Sequence, residues 1–122
     1  MILSRDEVNS KSELYELGRI GATPTKNSGR GHHEKADGII YMDEDHTIPL
    51  FSVDVKEYGK SFAVTEKVWA KLNTDAKQNK AEPMFHLAIG ELEPKTRLTV
   101  ISEKMFLELL ECYIEKYGPE YE

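Results

Sequence analysis

Cysteine is almost absent from the chain. Cys112 stands alone in 122 residues, so no intramolecular disulfide can form and no second cysteine can share a zinc ion with it. Long apolar runs are missing as well. Nothing approaches the roughly 18 consecutive apolar residues that span a bilayer. The opening Met-Ile-Leu-Ser-Arg-Asp-Glu lacks the basic-then-apolar order of a secretory signal. A soluble protein with no membrane association and a cytoplasmic location is therefore expected. Repeats, low-complexity tracts and linker-like stretches are also lacking, and the chain fits one compact domain over 1–122.

The positive charge usual in nucleic-acid-binding proteins is absent too, since the net charge is −6. The deficit is uneven. Residues 10–80 carry eleven basic and eleven acidic side chains, whereas residues 91–122 carry four and eight. Acids in the first stretch are candidate metal ligands whose charge a cation would offset, so the overall balance weighs little against nucleic acid. Charged residues at 31% and hydrophobic residues at 39% describe a folded globular chain rather than a disordered one.

What is present alternates between helix and strand patterns. Ser4 and Glu7 form a capping box, which predicts a helix from Arg5 to about Leu17, with Gly18 as terminator. Residues 22–35 read as a short extended segment followed by a mobile loop. Residues 36–42 and 47–56 are strand-like, joined by a turn at Asp43-Glu44-Asp45-His46. Thr65 caps a helix reaching about Asn79, on which Val68, Trp69, Leu72 and Ala76 recur at helical spacing, with Trp69 read as core. Met84–Ile89 suits a buried strand and Arg97–Ile101 an edge strand. Ser102 starts a last helix whose stripe of Met105, Phe106, Leu109, Leu110, Tyr113 and Ile114 is expected to be core on one side and a dimer contact on another. Cys112, among Leu109, Leu110 and Ile114, is read as a half-buried packing residue. The order implies a single α/β or α+β sandwich.

Within the predicted hairpin, a turn centred between Asp45 and His46 places Asp37 opposite Asp54. Opposed residues have Cβ atoms about 4.5–5.5 Å apart, so two carboxylates there repel. Lys56 lies two residues beyond Asp54, on the same strand face. Two acids and an ammonium then converge, and a divalent cation would relieve the repulsion. Mg²⁺ suits such a set, because it takes oxygen ligands and is often held by one or two carboxylates. The plainer alternative is a turn residue at Asp37 and a solvated Asp54–Lys56 pair.

The motifs occur in a telling order. Lys11-Ser12-Glu13 precedes Asn27-Ser28-Gly29, Lys35-Ala36-Asp37-Gly38 and Val53-Asp54-Val55-Lys56. Ser61-Phe62, Trp69-Ala70-Lys71-Leu72 with Ala76, and Pro83 before Met84–Ile89 follow. Over residues 10–90 this resembles the PD-(D/E)XK nucleases, and most the small Holliday junction resolvase-like members carried by bacteriophages. The resemblance implies a restriction-endonuclease-like fold, a central mixed β-sheet flanked by helices. It implies a Mg²⁺-dependent endonuclease, with Mn²⁺ as a substitute, resolving four-way or other branched DNA as a homodimer. For a phage-encoded protein the location would be the host cytoplasm.

Carried over, Glu13, Asp37 and Asp54 become the acidic active-site and metal-binding positions, and Lys56 the catalytic lysine. Glu16 and Glu7 are alternatives to Glu13 as the helix-borne acid. Asp54 stands where the family often has Glu, and Glu57-Tyr58 where it tends to have Thr. Lys26, Ser28, Gly29, Arg30 and Lys35, with His32-His33 between them, would form a DNA-backbone clamp, and Lys71 a further phosphate contact. A polar loop and a solvated helix face are the plainer alternatives. The rival functions are a nuclease for linear or single-stranded DNA, and a non-catalytic DNA-binding or assembly protein.

Overall fold

Side-chain caps and turns mark where the elements begin. The computed structural model describes residues 5–25 and 36–120, with side chains from residue 11 onward. In chain order these form α1 (Arg5–Arg19), β1 (Thr23–Pro24), β2 (Gly38–Tyr41), β3 (Pro49–Tyr58), α2 (Glu66–Gln78), β4 (Glu82–Ile89), β5 (Thr96–Ile101) and α3 (Glu103–Tyr117). The Thr65 hydroxyl accepts from the Val68 N–H at 3.1 Å to start α2, and Ser102 accepts from Met105 N–H at 3.1 Å to start α3. α1 runs two residues past the expected Leu17, while the Ser4 cap lies outside the described residues.

The five strands form one open mixed sheet in the order β1-β2-β3-β4-β5. β3 and β4 are parallel and the other neighbours antiparallel. Parallel neighbours need a crossover, which α2 supplies. The β2–β3 pairing sets Gly38 against Val53, Ile39 against Ser52 and Ile40 against Phe51, the register expected from the turn. A bulge between Ile40 and Tyr41 then brings Tyr41 opposite Pro49, where the missing N–H costs the ladder little. Asp43 closes the turn by accepting from Thr47 N–H at 3.0 Å and Ile48 N–H at 2.8 Å.

Two apolar clusters hold helices to the sheet. Leu17 of α1 and Met105 of α3 pack with Phe51, Val53 and Met84 on one face. Leu72 of α2 packs with Phe85 and Leu87 on the other, joined by Phe62, Val68 and Trp69. Fully burying such a side chain contributes about 1.5–3 kcal/mol, so these contacts decide the layering. Gly38 lets α1 approach closely: a Cβ there would lie 2.7 Å from Leu17 Cδ2 and 3.0 Å from the Thr23 carbonyl oxygen.

α3 departs from expectation. Met105 is its buried residue, whereas Phe106, Leu107, Leu109, Leu110, Tyr113, Ile114 and Tyr117 are exposed. Only its first turn reaches the core, so most of the stripe read as core has nothing to pack against among the described residues. Cys112, expected to be half-buried, is exposed for the same reason. Among the described residues, no helix is long and apolar enough to cross a membrane.

Candidate active site

Strand alternation decides which β3 side chains share a face. Asp54 and Lys56 pair in register with Phe85 and Leu87 and so lie on the α2 side of the sheet. Asp37 sits one residue before β2. Its N–H donates to the Val53 carbonyl at 2.9 Å, and its Oδ2 accepts from the Val55 N–H at 2.8 Å. From the β1 side, the Thr25 N–H donates to the Asp37 carbonyl at 3.1 Å and the Thr25 hydroxyl to the Ala36 carbonyl at 2.6 Å. Asp37 is thereby fixed where the chain enters β2.

The Asp54 and Glu13 carboxyls lie near enough to Asp37 to affect its ionisation. Glu13 precedes the buried Leu17 by one helical turn, which aims it toward the sheet from α1. Lys56 Nζ lies 3.3 Å from Asp54 Oδ2. Among the four residues expected at the centre of the site, the ion pair joins Lys56 to Asp54, and the Glu13 and Asp37 carboxyls lie in the same neighbourhood.

The electrostatics follow from that crowding. Burial, followed by contact with Asp37, pushes the Asp54 carboxyl up to about 6, with Lys56 pulling the other way. Burial raises Asp37, and the Glu13 charge adds to it. Burial also raises Glu13, with the charges of Asp54 and Glu57 contributing. When all three acids are ionised against one ammonium, two negative charges are left over.

That excess fits a divalent cation, and oxygen-only donors suit Mg²⁺ or Mn²⁺. Among the described residues, no group of three or more His, Cys, Asp or Glu side chains is placed to hold a metal ion, so the acids offer at most a partial set of ligands. Mg²⁺ tolerates such a set because it uses one or two carboxylates and keeps several waters.

Glu16, the alternative helix acid, has another partner. It is buried and accepts from Arg97 Nε and Nη2 at 2.9 Å each, and its Oε1 lies 2.8 Å from His86 Nε2. The Arg97 hydrogen bonds hold the Glu16 carboxyl at about 2, well below its ordinary range. The side chain of Glu7 and the residues Lys26, Ser28, Gly29, Arg30, His32, His33 and Lys35 lie outside those described. Lys71 is exposed on α2 and lines the same cleft as Asp54 and Lys56.

Sequence reasoning missed three neighbours. Glu57 accepts from the Ser12 hydroxyl and lies 4.0 Å from Lys95 Nζ, tying β3 to α1. Tyr58 and Asp75 line the cleft beside Lys56 and Lys71. Only the position of Tyr58, two residues after Lys56 on one strand face, offered a signal. No protein-family model matches the chain, and neither a curated protein nor a solved structure matches it significantly.

Proposed function

We propose that the chain is a metal-dependent endodeoxyribonuclease of the PD-(D/E)XK type with a restriction-endonuclease-like fold, acting on four-way or other branched DNA. The observation that carries this reading is that Asp37 and Asp54, on neighbouring strands, and Glu13 of α1 lie near enough to affect one another's ionisation, with Lys56 3.3 Å from Asp54. A module without chemistry gains nothing from crowding three acids. Asp37 and Asp54 would hold Mg²⁺, with Glu13 as an additional or outer ligand. When bound, the ion supplies Lewis-acid polarisation of a phosphoryl oxygen and a more acidic water. Lys56 offers a positive point donor to the scissile phosphate, and Lys71 another to the neighbouring backbone. The Val55 N–H holds the Asp37 carboxylate in place throughout.

A homodimer would bring two such sites to one junction. The uncovered face of α3 supports it, with a second copy of α3 as the occupant. In an antiparallel pair setting Phe106 against Tyr113, Lys104 falls opposite Glu115 and Glu103 opposite Lys116, so the flanking charges agree.

The test is incubation with Mg²⁺ and either a four-way junction or a matched linear duplex. Symmetric nicks in the junction, lost with Asp54→Asn and with chelator, are expected. Equal cutting of both substrates would remove the branch preference. DNA binding without cutting in Mg²⁺ or Mn²⁺ would overturn the enzyme reading.

A further inference from the structure

The cleft on the α2 side of Asp54 and Lys56 is a pocket with its own chemistry. Its walls are Tyr58, Phe62, Val68, Leu72 and Phe85, and its polar rim is Asp54, Lys56, Lys71 and Asp75. Tyr58 and Phe62 stack with ring centroids 5.4 Å apart and planes 26° from parallel. Phe62 is in turn held edge-on by Phe85 at 5.2 Å. The inner rings pack the core, but Tyr58 stays 46% exposed at the mouth. Lys71 and Asp75 are one turn apart on α2, yet form no ion pair with each other among the described residues.

Volume and wall chemistry narrow the occupant. About 180 Å³ falls below the ~300–1,000 Å³ of sites for drug-sized ligands, which points to a single ring system. Flat aromatic and aliphatic walls suit a planar heterocycle, because every nucleobase has a face to stack. Two lysines at the rim suit the phosphates on either side of that base. The Asp75 carboxylate accepts hydrogen bonds only, which favours an exocyclic amine such as that of cytosine.

We infer that this pocket receives one unpaired nucleobase next to the scissile phosphate, so that the preferred DNA carries an extruded or single-stranded nucleotide at the cut. The inference rests on the nuclease reading for what happens at the phosphate, but not for the pocket's affinity for a base. A base inside a duplex is stacked on both sides and has to leave the helix to enter. Branch points and strand ends offer such bases at least cost.

Two measurements separate the claims. In the first, wild-type protein, Tyr58→Ala and Asp75→Asn are given Mg²⁺ with a paired duplex, the same duplex carrying an unpaired nucleotide, and that duplex with the nucleotide made abasic. Faster cutting with the unpaired base is expected. Tyr58→Ala and the abasic change should each lower kcat/KM by about 5- to 150-fold, the range spanned by base–aromatic stacking, and together by little more than either alone. Equal rates on the three DNAs, unchanged by Tyr58→Ala, would overturn the pocket's role while leaving the nuclease intact.

In the second, dCMP and deoxyribose 5-phosphate are titrated in turn, without metal, into wild-type protein followed by NMR. Shifts at Tyr58, Phe62 and Leu72 with dCMP alone, lost in Tyr58→Ala, support the pocket even if no DNA is cut. Identical shifts from both compounds would sink it. Tyr58 is exposed at a strand end, so its variant keeps the core, and unchanged circular dichroism confirms that.

Discussion

Asp54 sits where burial and the Asp37 carboxylate oppose ionisation while Lys56 favours it, and the balance leaves its carboxyl at about 6. An acid raised in the folded state destabilises the fold at pH values above its ordinary range, because the charged form is worse placed than in the unfolded chain. Asp54→Asn should therefore raise the melting temperature of metal-free protein at pH 7.5 by about 3–5 °C, the shift that about 1 kcal/mol produces in a domain of this size. Mg²⁺ should raise the wild-type midpoint and leave the variant's nearly unmoved. Calorimetric scans with chelator and with excess Mg²⁺ read both. At this scale the sequence was informative about Asp37, Asp54 and Lys56, because strand periodicity and a short hairpin turn fix who faces whom. It left the choice among Glu7, Glu13 and Glu16 open. Glu16 is excluded by Arg97, 81 residues later, and no local pattern records such a pairing.

Among the elements, α1 must be held firmly if Glu13 is to reach Asp37. The Glu16–Arg97–His86 group does this one turn away, joining α1 to β4 and β5. Arg97→Leu leaves the Glu16 carboxylate without its main partner and should lower the unfolding midpoint in denaturant at pH 7. The pH dependence follows from Glu16, whose carboxyl is held at about 2 against an ordinary 4.5. Its stabilising contribution is complete above the ordinary value and is lost as pH falls toward about 2. Denaturant unfolding between pH 2 and 7 should show that loss in the wild type, with a flatter profile in Arg97→Leu. The caps at Thr65 and Ser102 were readable because they are local chemistry. The exposure of α3 was not, since periodicity marks an apolar face without saying what covers it. Cys112 was misplaced with it.

For the whole molecule, the mixed sheet sets Asp54 and Lys56 on its α2 side while α1 brings Glu13 from the other, and among the described residues α3 carries an exposed apolar face beyond the core. An isolated 15-residue helix is marginal in water, so an apolar face left exposed among the described residues favours association. Sedimentation at micromolar concentration should find a dimer. Leu110→Glu, which places a charge in the middle of the proposed contact, should weaken it by about 100-fold, within the range for an unpaired interfacial charge. A monomeric wild type would remove the dimer without touching the site. The element order followed from the chain's periodicities, whereas the parallel pairing of β3 with β4 did not. Nor did the pocket proposed for a nucleobase, because Tyr58, Phe62 and Asp75 come to line one cleft only once α2 has crossed over the sheet.

The most direct test of the central claim is a calorimetric titration of Mn²⁺ into wild-type protein and into Asp54→Asn, each freed of metal beforehand. Saturable binding by the wild type, weakened at least ten-fold in the variant, is the predicted result. Equal binding by both proteins, or none by either, would contradict the assignment of Glu13, Asp37 and Asp54 as a cation site.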